Sequence, residues 1–590
     1  MVGMKRLRMR DRLKNLPEHT RMMLLSLVVG LLSGLAAVLL NSLIRWIKLL
    51  LESGNGGGYH WTYLALPGLG MLVSYLIVRY VIRDSIGHGV TKVLVAISKN
   101  ESRIKVHNTW SSLATSALTI GFGGSVGAEA PIVYTGAAIG SNIGGRFGLS
   151  YKNITVLLGC GAAAAIAGIF KAPLAGILFT MEILLFNISM TSMLPLLIST
   201  VSATVVAYLF NGQAFSFQCS LVPFSMVNIP FYVILGVVCG FGSLYFLRLT
   251  LRMEDRLSKG IRNGYVRWIA CAVVLGLLIF LFPMLYGEGY GFLEGLLTGE
   301  IPSGDTPLSF LLGHPWGIPL FFALIFCVKV VAMTFTNAGG GVGGTFGPTL
   351  FKGAILGFIV ARVLNLLMNA YGLSVPEQNF VLVGMAGLMS GVMQAPMTAI
   401  FLIAEMTGGY DLFVPLIITA AVSFGVTRIF EKYSIYSKRI ANTGELLTHD
   451  SDKSVLTLLK VEDMVSDKYP HINLDATLRD IIPVVSDSKV AVYPVLDKSG
   501  RIHGLLEMDR MRKYFFDASL YDTVRVRNIM TEIPSSITEG EPVESVMEKF
   551  DKTDAWRLPV LDEKGRYLGC ISKSRILAAY RNELKQITEE

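Results

Sequence analysis

The chain has 590 residues, 52% of them hydrophobic and only 16% charged, with a net charge of +9 and a mean hydropathy of +0.54. Soluble globular proteins carry about 25% charged residues, so a wholly soluble protein is excluded and a polytopic membrane protein is expected. The positive balance reads as a membrane-topology signal rather than as a nucleic-acid-binding surface.

The N-terminal segment 1–21, MVGMKRLRMRDRLKNLPEHTR, is strongly basic. The apolar run behind it is too long for a signal-peptide core and has no clear cleavage site, so the segment is expected in the cytoplasm. Apolar runs lie at 22–43, 61–81, 231–247, 268–285 and 319–333, several of them reaching the roughly 20 residues that span a bilayer. A membrane domain over 22–440 closes on Arg428, Lys432, Lys438 and Arg439, which places its end on the cytoplasmic side as well. A linker, 441–460, leads to a C-terminal region with charges interleaved among apolar positions, which is expected to be soluble.

Inside the membrane domain, GAEAP at 127–131 sets one acid, Glu129, among glycine and alanine, and GTFGP at 344–348 has the same Gly-x-x-x-Pro frame. Downstream of each, two segments align at one common offset. Gly161 matches Gly384, Gly168 matches Gly391, Ala172-Pro173 matches Ala395-Pro396, and Glu182 matches Glu405. Two related halves are a design of membrane transporters whose helices break near the bilayer midplane. Glycine lets backbone approach a ligand, and proline is tolerated in a helix's first turn. A loop opening into a helix is therefore expected at Pro131 and again at Pro348. Each such start exposes unpaired N–H groups and about half a positive charge, and the two together would attract an anion. The pattern alone also allows a plainer reading, in which the glycines only permit close helix packing.

An ionised carboxylate near the bilayer centre costs about 2.5–3.5 kcal/mol. Glu129 is explained if the helix starts that attract an anion also hold its carboxylate, as a tethered substitute for the transported ion. The alternative is a glutamate on a solvated loop. Lys329 is a second intramembrane charge, expected to snorkel or to pair within the bundle. The six cysteines have no metal-ligand spacing, so neither a metal site nor a disulfide framework is expected.

Taken in order, these residues resemble the CLC family of chloride channels and chloride/proton antiporters over nearly the whole chain. GHGVT at 87–91 stands where that family has Gly-Ser-Gly-Ile-Pro, GAEAP where it has Gly-Arg-Glu-Gly-Pro, GTFGP where it has Gly-x-Phe-x-Pro, and Tyr436 where a tyrosine lies at the inner gate. The resemblance implies an all-α membrane domain of two inverted-topology halves with broken and re-entrant helices. It implies a homodimer in the cell membrane with one pathway per subunit, chloride or another small anion as the transported ligand, and no required cofactor. Glu129 would be the gate, sitting in an anion site when ionised and leaving it when protonated or displaced. The anion contacts would come from Gly87, His88, Gly89, Ala128, Ala130, Thr345, Phe346 and Gly347, with the Tyr436 hydroxyl as donor. Neutral donors suit a transported ion because they do not hold it too tightly to leave.

Two positions depart from the family. His88 replaces serine; its imidazole either donates in the serine's stead or points away and leaves the Gly87 and Gly89 amides. Ile183 follows Glu182 where the family's antiporters carry a second, proton-relaying acid. Isoleucine cannot carry a proton, so the expected activity is channel-type conduction gated by Glu129, with chloride/proton antiport as the alternative.

In the C-terminal region, YPVLDKSGRIHG at 493–504 repeats as LPVLDEKGRYLG at 558–569. Each copy has a short lead, an apolar-periodic helix (477–485 and 543–550), two strands joined by an Asp-x-x-Gly turn and a final helix. This resembles an α+β tandem pair of CBS domains, over 461–516 and 526–584. The resemblance implies regulation of transport and a share in the dimer. It also implies an adenine nucleotide whose ribose would meet Asp509; the second copy has Ser574 there, so a purely structural role stands beside it. Other classes are disfavoured. GGSVG at 123–127 fits the nucleophile elbow of serine hydrolases, yet it lies among membrane helices without a well-placed histidine. A cation transporter needs acidic rings that this membrane domain lacks, and a non-conducting scaffold does not call for broken, glycine-rich helices. No enzymatic activity is expected.

Overall fold

Over their described residues the apolar runs of the sequence fold largely as helix in the computed structural model, which describes residues 16–52, 62–84, 86–184, 190–212, 217, 221–299, 306, 308–368, 373–442, 459, 461–466, 469–488, 490–562 and 564–589. The chain divides into two units, Met1–Leu447 and Thr448–Glu590. Most of the basic tail and most of the linker lie outside the described residues.

The first half of the membrane unit carries α1 (Glu18–Glu52), α2 (Thr62–Leu76), α3 (Gly89–Lys99), α4 (Ser111–Gly121), α5 (Glu129–Arg146), α6 (Tyr151–Phe170), α7 (Pro173–Ile183) and α8 (Met190–Asn211). The second carries α9 (Ile229–Gly260), α10 (Gly264–Leu281), α11 (Tyr290–Thr298), α12 (Gly317–Ala338), α13 (Phe346–Met368), α14 (Glu377–Met393), α15 (Pro396–Thr407) and α16 (Phe413–Phe430), and α17 (Ile435–Asn442) follows. Among the described residues, nine helices are long and apolar enough to cross a membrane, while α7 and α15 are shorter. The packing repeats: α5 lies on α6 as α13 lies on α14, and α1 lies on α8 as α9 lies on α16.

Two devices hold the membrane unit together, the first within each half and the second between the halves. At the α5–α6 crossing Gly136 meets Gly161, and at the α13–α14 crossing Gly353 meets Gly384; a Cβ on any of the four would run into its partner's carbonyl oxygen. At these positions glycine serves close packing. Replacing Gly384 by alanine is expected to force the helices apart at a cost of about 1–3 kcal/mol, read as a lower thermal midpoint in detergent. A midpoint equal to that of the native protein would contradict this.

The second device is a reciprocal cap. Glu182, at the end of α7, accepts from the Met397 and Thr398 amides at the start of α15 (3.0 and 2.7 Å) and from the Thr398 hydroxyl (2.7 Å). Glu405, near the end of α15, accepts from the Leu174 and Ala175 amides at the start of α7 (3.0 and 2.9 Å). Each short helix thus carries the acceptor for the other's unpaired N–H groups. The exchange requires the two to run antiparallel, as an inverted repeat demands. Pro173 and Pro396 are the first residues of these helices, where a missing N–H is harmless.

Pro131 and Pro348 differ from expectation. α5 begins at Glu129 and α13 at Phe346, so each proline sits at the third helical position rather than the first. The first four N–H groups of a helix have no internal partner, which makes that position equally tolerant.

The C-terminal unit holds two three-stranded sheets, β1-β2-β3 and β4-β5-β6, each with one parallel and one antiparallel pairing. Their strands are β1 (Ile472–Asn473), β2 (Val492–Leu496), β3 (Ile502–Glu507), β4 (Ile537–Thr538), β5 (Arg557–Leu561) and β6 (Tyr567–Ser572), and the helices are α18 (Leu478–Ser486), α19 (Met508–Phe515), α20 (Val543–Thr553) and α21 (Lys573–Glu589). Both Asp-x-x-Gly turns form. Asp497 accepts from the Ser499 and Arg501 amides, and Asp562 from the Lys564 and Arg566 amides. The Ser499 hydroxyl, with His503 and the Arg501 amide adding to it, holds the Asp497 carboxyl below the usual carboxylate range. The support this turn draws from the ionised form is present above the ordinary aspartate range and is lost as pH falls through the depressed one.

The leads are exchanged between the copies. Val461 and Met464 pack into the core of the second repeat, and Val526 and Ile529 into that of the first. Ser466 bridges to Cys570, and Thr531 to Leu505. A local sequence pattern assigns each lead to the copy it precedes, but the buried contacts assign it to the other.

Candidate functional site

The two Gly-x-x-x-Pro loops meet. Gly127 and Gly344 exchange backbone hydrogen bonds of 3.1 and 2.7 Å, which sets the starts of α5 and α13, one from each half, side by side in the interior. Glu129, the first residue of α5, is 1% exposed and so is not on a solvated loop. Its Oε2 accepts from the Gly347 amide at the start of α13 (3.2 Å), and its Oε1 from the Tyr290 hydroxyl at the start of α11 (2.6 Å). Hydrogen bonds to a charged group are worth about 1.5–3 kcal/mol each, so this pair is enough to offset the roughly 2.5–3.5 kcal/mol that the burial costs.

The loop before α11, YGEGYG at 286–291, supplies more than Tyr290. Its Gly287 amide donates to the Gly123 carbonyl (3.1 Å), fastening it beside the first re-entrant loop. Glu288, also buried, accepts from the Ala128 amide at 3.0 Å. Lys329 does not snorkel. It is fully buried, donates to the Ser125 hydroxyl (2.8 Å) and the Gly287 carbonyl (3.3 Å), and stands 4.7 Å from the centre of the Phe351 ring. Ser125 therefore faces the Lys329 side chain, not the histidine of a nucleophile-elbow hydrolase. A further buried lysine, Lys352, lies among the rings of Phe326, Tyr245 and Phe246, at 4.0, 4.8 and 5.0 Å.

Beyond Gly347, Thr345 and Tyr436 are each 1% exposed and are neighbours. Among the described residues, neither hydroxyl makes a hydrogen bond of normal geometry. Buried polar atoms are normally satisfied, and these two hydroxyls, side by side, are donors that an accepting ligand would satisfy. The Phe346 ring packs against Phe170 and Phe179, with centroids 5.6 and 6.3 Å away. Gly89 begins α3 and lies tight against the Ala130 carbonyl, so α3 abuts the start of α5. Gly87 takes a left-handed φ of 52°. The His88 imidazole is turned to Glu254 of α9, 3.5 Å away, and Glu254 is held by Arg439 of α17 at 2.6 and 3.2 Å. Parts of the basic cluster at the end of the domain are thus structural: Arg439 pairs with Glu254, Lys438 with Glu431, and Arg428 donates to Gln394. In the C-terminal unit Asp509 is exposed at the start of α19, 3.5 Å from Arg512, and Ser574 meets Ser572 at 3.1 Å.

Sequence reasoning missed Glu288, Tyr290 and Glu254. The first two had a legible signal, since Glu288 lies between glycines in an apolar setting much as Glu129 lies among glycine and alanine.

Comparison with known proteins follows the same lines. A family model described as voltage gated chloride channel matches residues 69–428, and the CBS domain model matches 461–517 and 526–582. The chain is 27% identical over 459 residues to the H(+)/Cl(-) exchange transporter ClcA of Salmonella paratyphi B, covering 74% of this chain and 93% of that protein. It is 26% identical over 426 residues to a putative chloride channel protein, ClcB-like, of Ralstonia nicotianae, covering 70% and 95%. Among solved structures it is similar in fold to a slow cyanobacterial Cl−/H+ antiporter (TM-score 0.61, 23% identity, 73% of this chain and 99% of that one). It is likewise similar to a eukaryotic CLC transporter (TM-score 0.58, 17% identity, 94% and 98%).

Proposed function

As a member of the voltage gated chloride channel family, the chain is a membrane anion transporter with a C-terminal pair of CBS domains, and we propose that it exchanges chloride for protons, with Glu129 as the gate. The observation that carries this reading is the Glu129 carboxylate on the Gly347 amide, 3.2 Å away. A titratable side chain in the seat of the anion makes chloride binding and proton binding at one place mutually dependent. Exchange needs that dependence, and simple conduction does not. The 27% identity to an exchange transporter supports it. In the proposed path an anion would take the Gly347 amide when Glu129 leaves, and the Thr345 and Tyr436 hydroxyls would donate to it deeper in.

Channel-type conduction is the second reading, favoured by buried Ile183 at the place where an inner proton relay would sit. Liposomes holding the purified protein separate the two. A chloride gradient that drives protons against no proton gradient means exchange; chloride movement without proton movement means a channel. The proposal extends to a homodimer in the cell membrane with both termini in the cytoplasm and to a CBS pair that regulates transport. Asp509 would be the ribose contact for an adenine nucleotide, and loss of nucleotide binding in Asp509→Ala would support that role.

A further inference from the structure

We propose that Glu288 is a second gating carboxylate, closing the start of α5 to anions as Glu129 closes the start of α13. The inference rests on the gating reading of Glu129. Two helix starts converge at the Gly127–Gly344 pairing, and each is capped by one carboxylate from elsewhere: Glu129 on the Gly347 amide at 3.2 Å and Glu288 on the Ala128 amide at 3.0 Å. Both hydrogen bonds are of the kind a chloride ion would make there. An anion approaching the start of α5 therefore competes with a tethered one.

The Glu288 side chain has room to turn while its loop stays held at Gly287 by Gly123 and Lys329. It stands between Gly287 and Gly289, which take left-handed φ values of 66° and 85° and leave the loop free of side chains on either side of the acid. It lines a cavity of about 240 Å³ together with Lys48, Tyr63, Tyr286 and Tyr290, into which a displaced side chain can turn. The charged and titratable groups that act on it are Lys48 of α1, Lys329 of α12 and Glu129 of α5, with Tyr290 beside it. Lys329 directs its hydrogen bonds to Ser125 and Gly287 rather than to the Glu288 carboxylate. Tyr290 joins the two acids physically, since its hydroxyl donates to Glu129 while its ring borders the cavity that Glu288 lines. With two carboxylates across the pathway, opening takes two protonations instead of one.

The test is chloride efflux from liposomes holding the full-length protein, followed from neutral to acid pH. In the native protein the logarithm of the flux should rise with a slope approaching about two protons. Glu288→Gln keeps an acceptor for the Ala128 amide and removes the charge, while Glu288→Ala frees the amide. Both should raise the flux at neutral pH several-fold and lower the slope by about one proton. Elution of each variant at the native position on gel filtration shows that it has folded. Glu129→Gln should lower the slope by the same amount, and the double variant should be nearly flat. A slope unchanged in both Glu288 variants overturns the proposal. If Glu129→Gln still lowers it in that series, only the role of Glu288 falls; if Glu129→Gln is also without effect, the gating reading of Glu129 falls with it.

Discussion

Replacing Glu129 by glutamine is expected to raise chloride flux at neutral pH about tenfold and to end the coupling of chloride to protons. The Gly347 amide donates to the Glu129 carboxyl in the native protein; with that carboxyl ionised the bond is charge-assisted, and such a bond is roughly twice as strong as a neutral one. An amide oxygen in its place gives up on the order of 1.4 kcal/mol of hold, a factor of about ten in the equilibrium between tethered and free amide. Chloride then wins the seat more often. The sign for pH follows from the same competition. Acid neutralises the native carboxylate, weakens its hold and speeds chloride movement; glutamine has no proton to gain, so this part of the pH dependence disappears. Paired recordings of chloride and pH from the same liposomes check both halves. A variant whose chloride gradient still drives protons would show that the coupling resides elsewhere.

Replacing Glu182 by alanine is expected to destabilise the membrane unit by about 2–5 kcal/mol. The substitution leaves the Met397 and Thr398 amides and the Thr398 hydroxyl without the acceptor they share, and a donor left unpaired away from water costs about 1–3 kcal/mol. Against the 5–15 kcal/mol of a typical domain this is a large loss. Because the cap is reciprocal, Glu405→Ala should cost a similar amount at the Leu174 and Ala175 amides, and Glu182→Gln, which keeps one oxygen, should cost less. Thermal unfolding of detergent-solubilised protein measures all three. Midpoints equal to the native one would mean that the short helices are held by packing alone.

Much of this fold is legible in the sequence where the signal is local or repeated. The apolar runs become helices because the chain must satisfy its backbone inside lipid. The match of Glu182 with Glu405 signals an equivalence that the structure turns into a pair of exchanged caps. The acid among glycines at 129 signals a buried carboxylate held by helix starts. What the sequence hides are pairings between distant segments. Nothing near Ala128 announces that its amide will be taken by Glu288, and the basic residues that close the membrane domain read as a topology signal until Arg439 is seen holding Glu254. The exchanged leads of the CBS pair are hidden for the same reason, because two similar cores present the same pattern to either lead. The plain packing reading of the glycines holds at Gly161 and Gly384, while the loop reading holds at Gly127 and Gly344. Both were present in one motif pattern, and only three-dimensional contact separates them.

The most direct measurement is a bromide-soaked crystal structure of the Glu129→Gln protein. Anomalous bromide density is expected within hydrogen-bonding distance of the Gly347 amide, with the substituted side chain swung away and a second peak at the Thr345 and Tyr436 hydroxyls. A glutamine still seated on the Gly347 amide, with bromide bound only at places remote from both helix starts, would contradict that expectation.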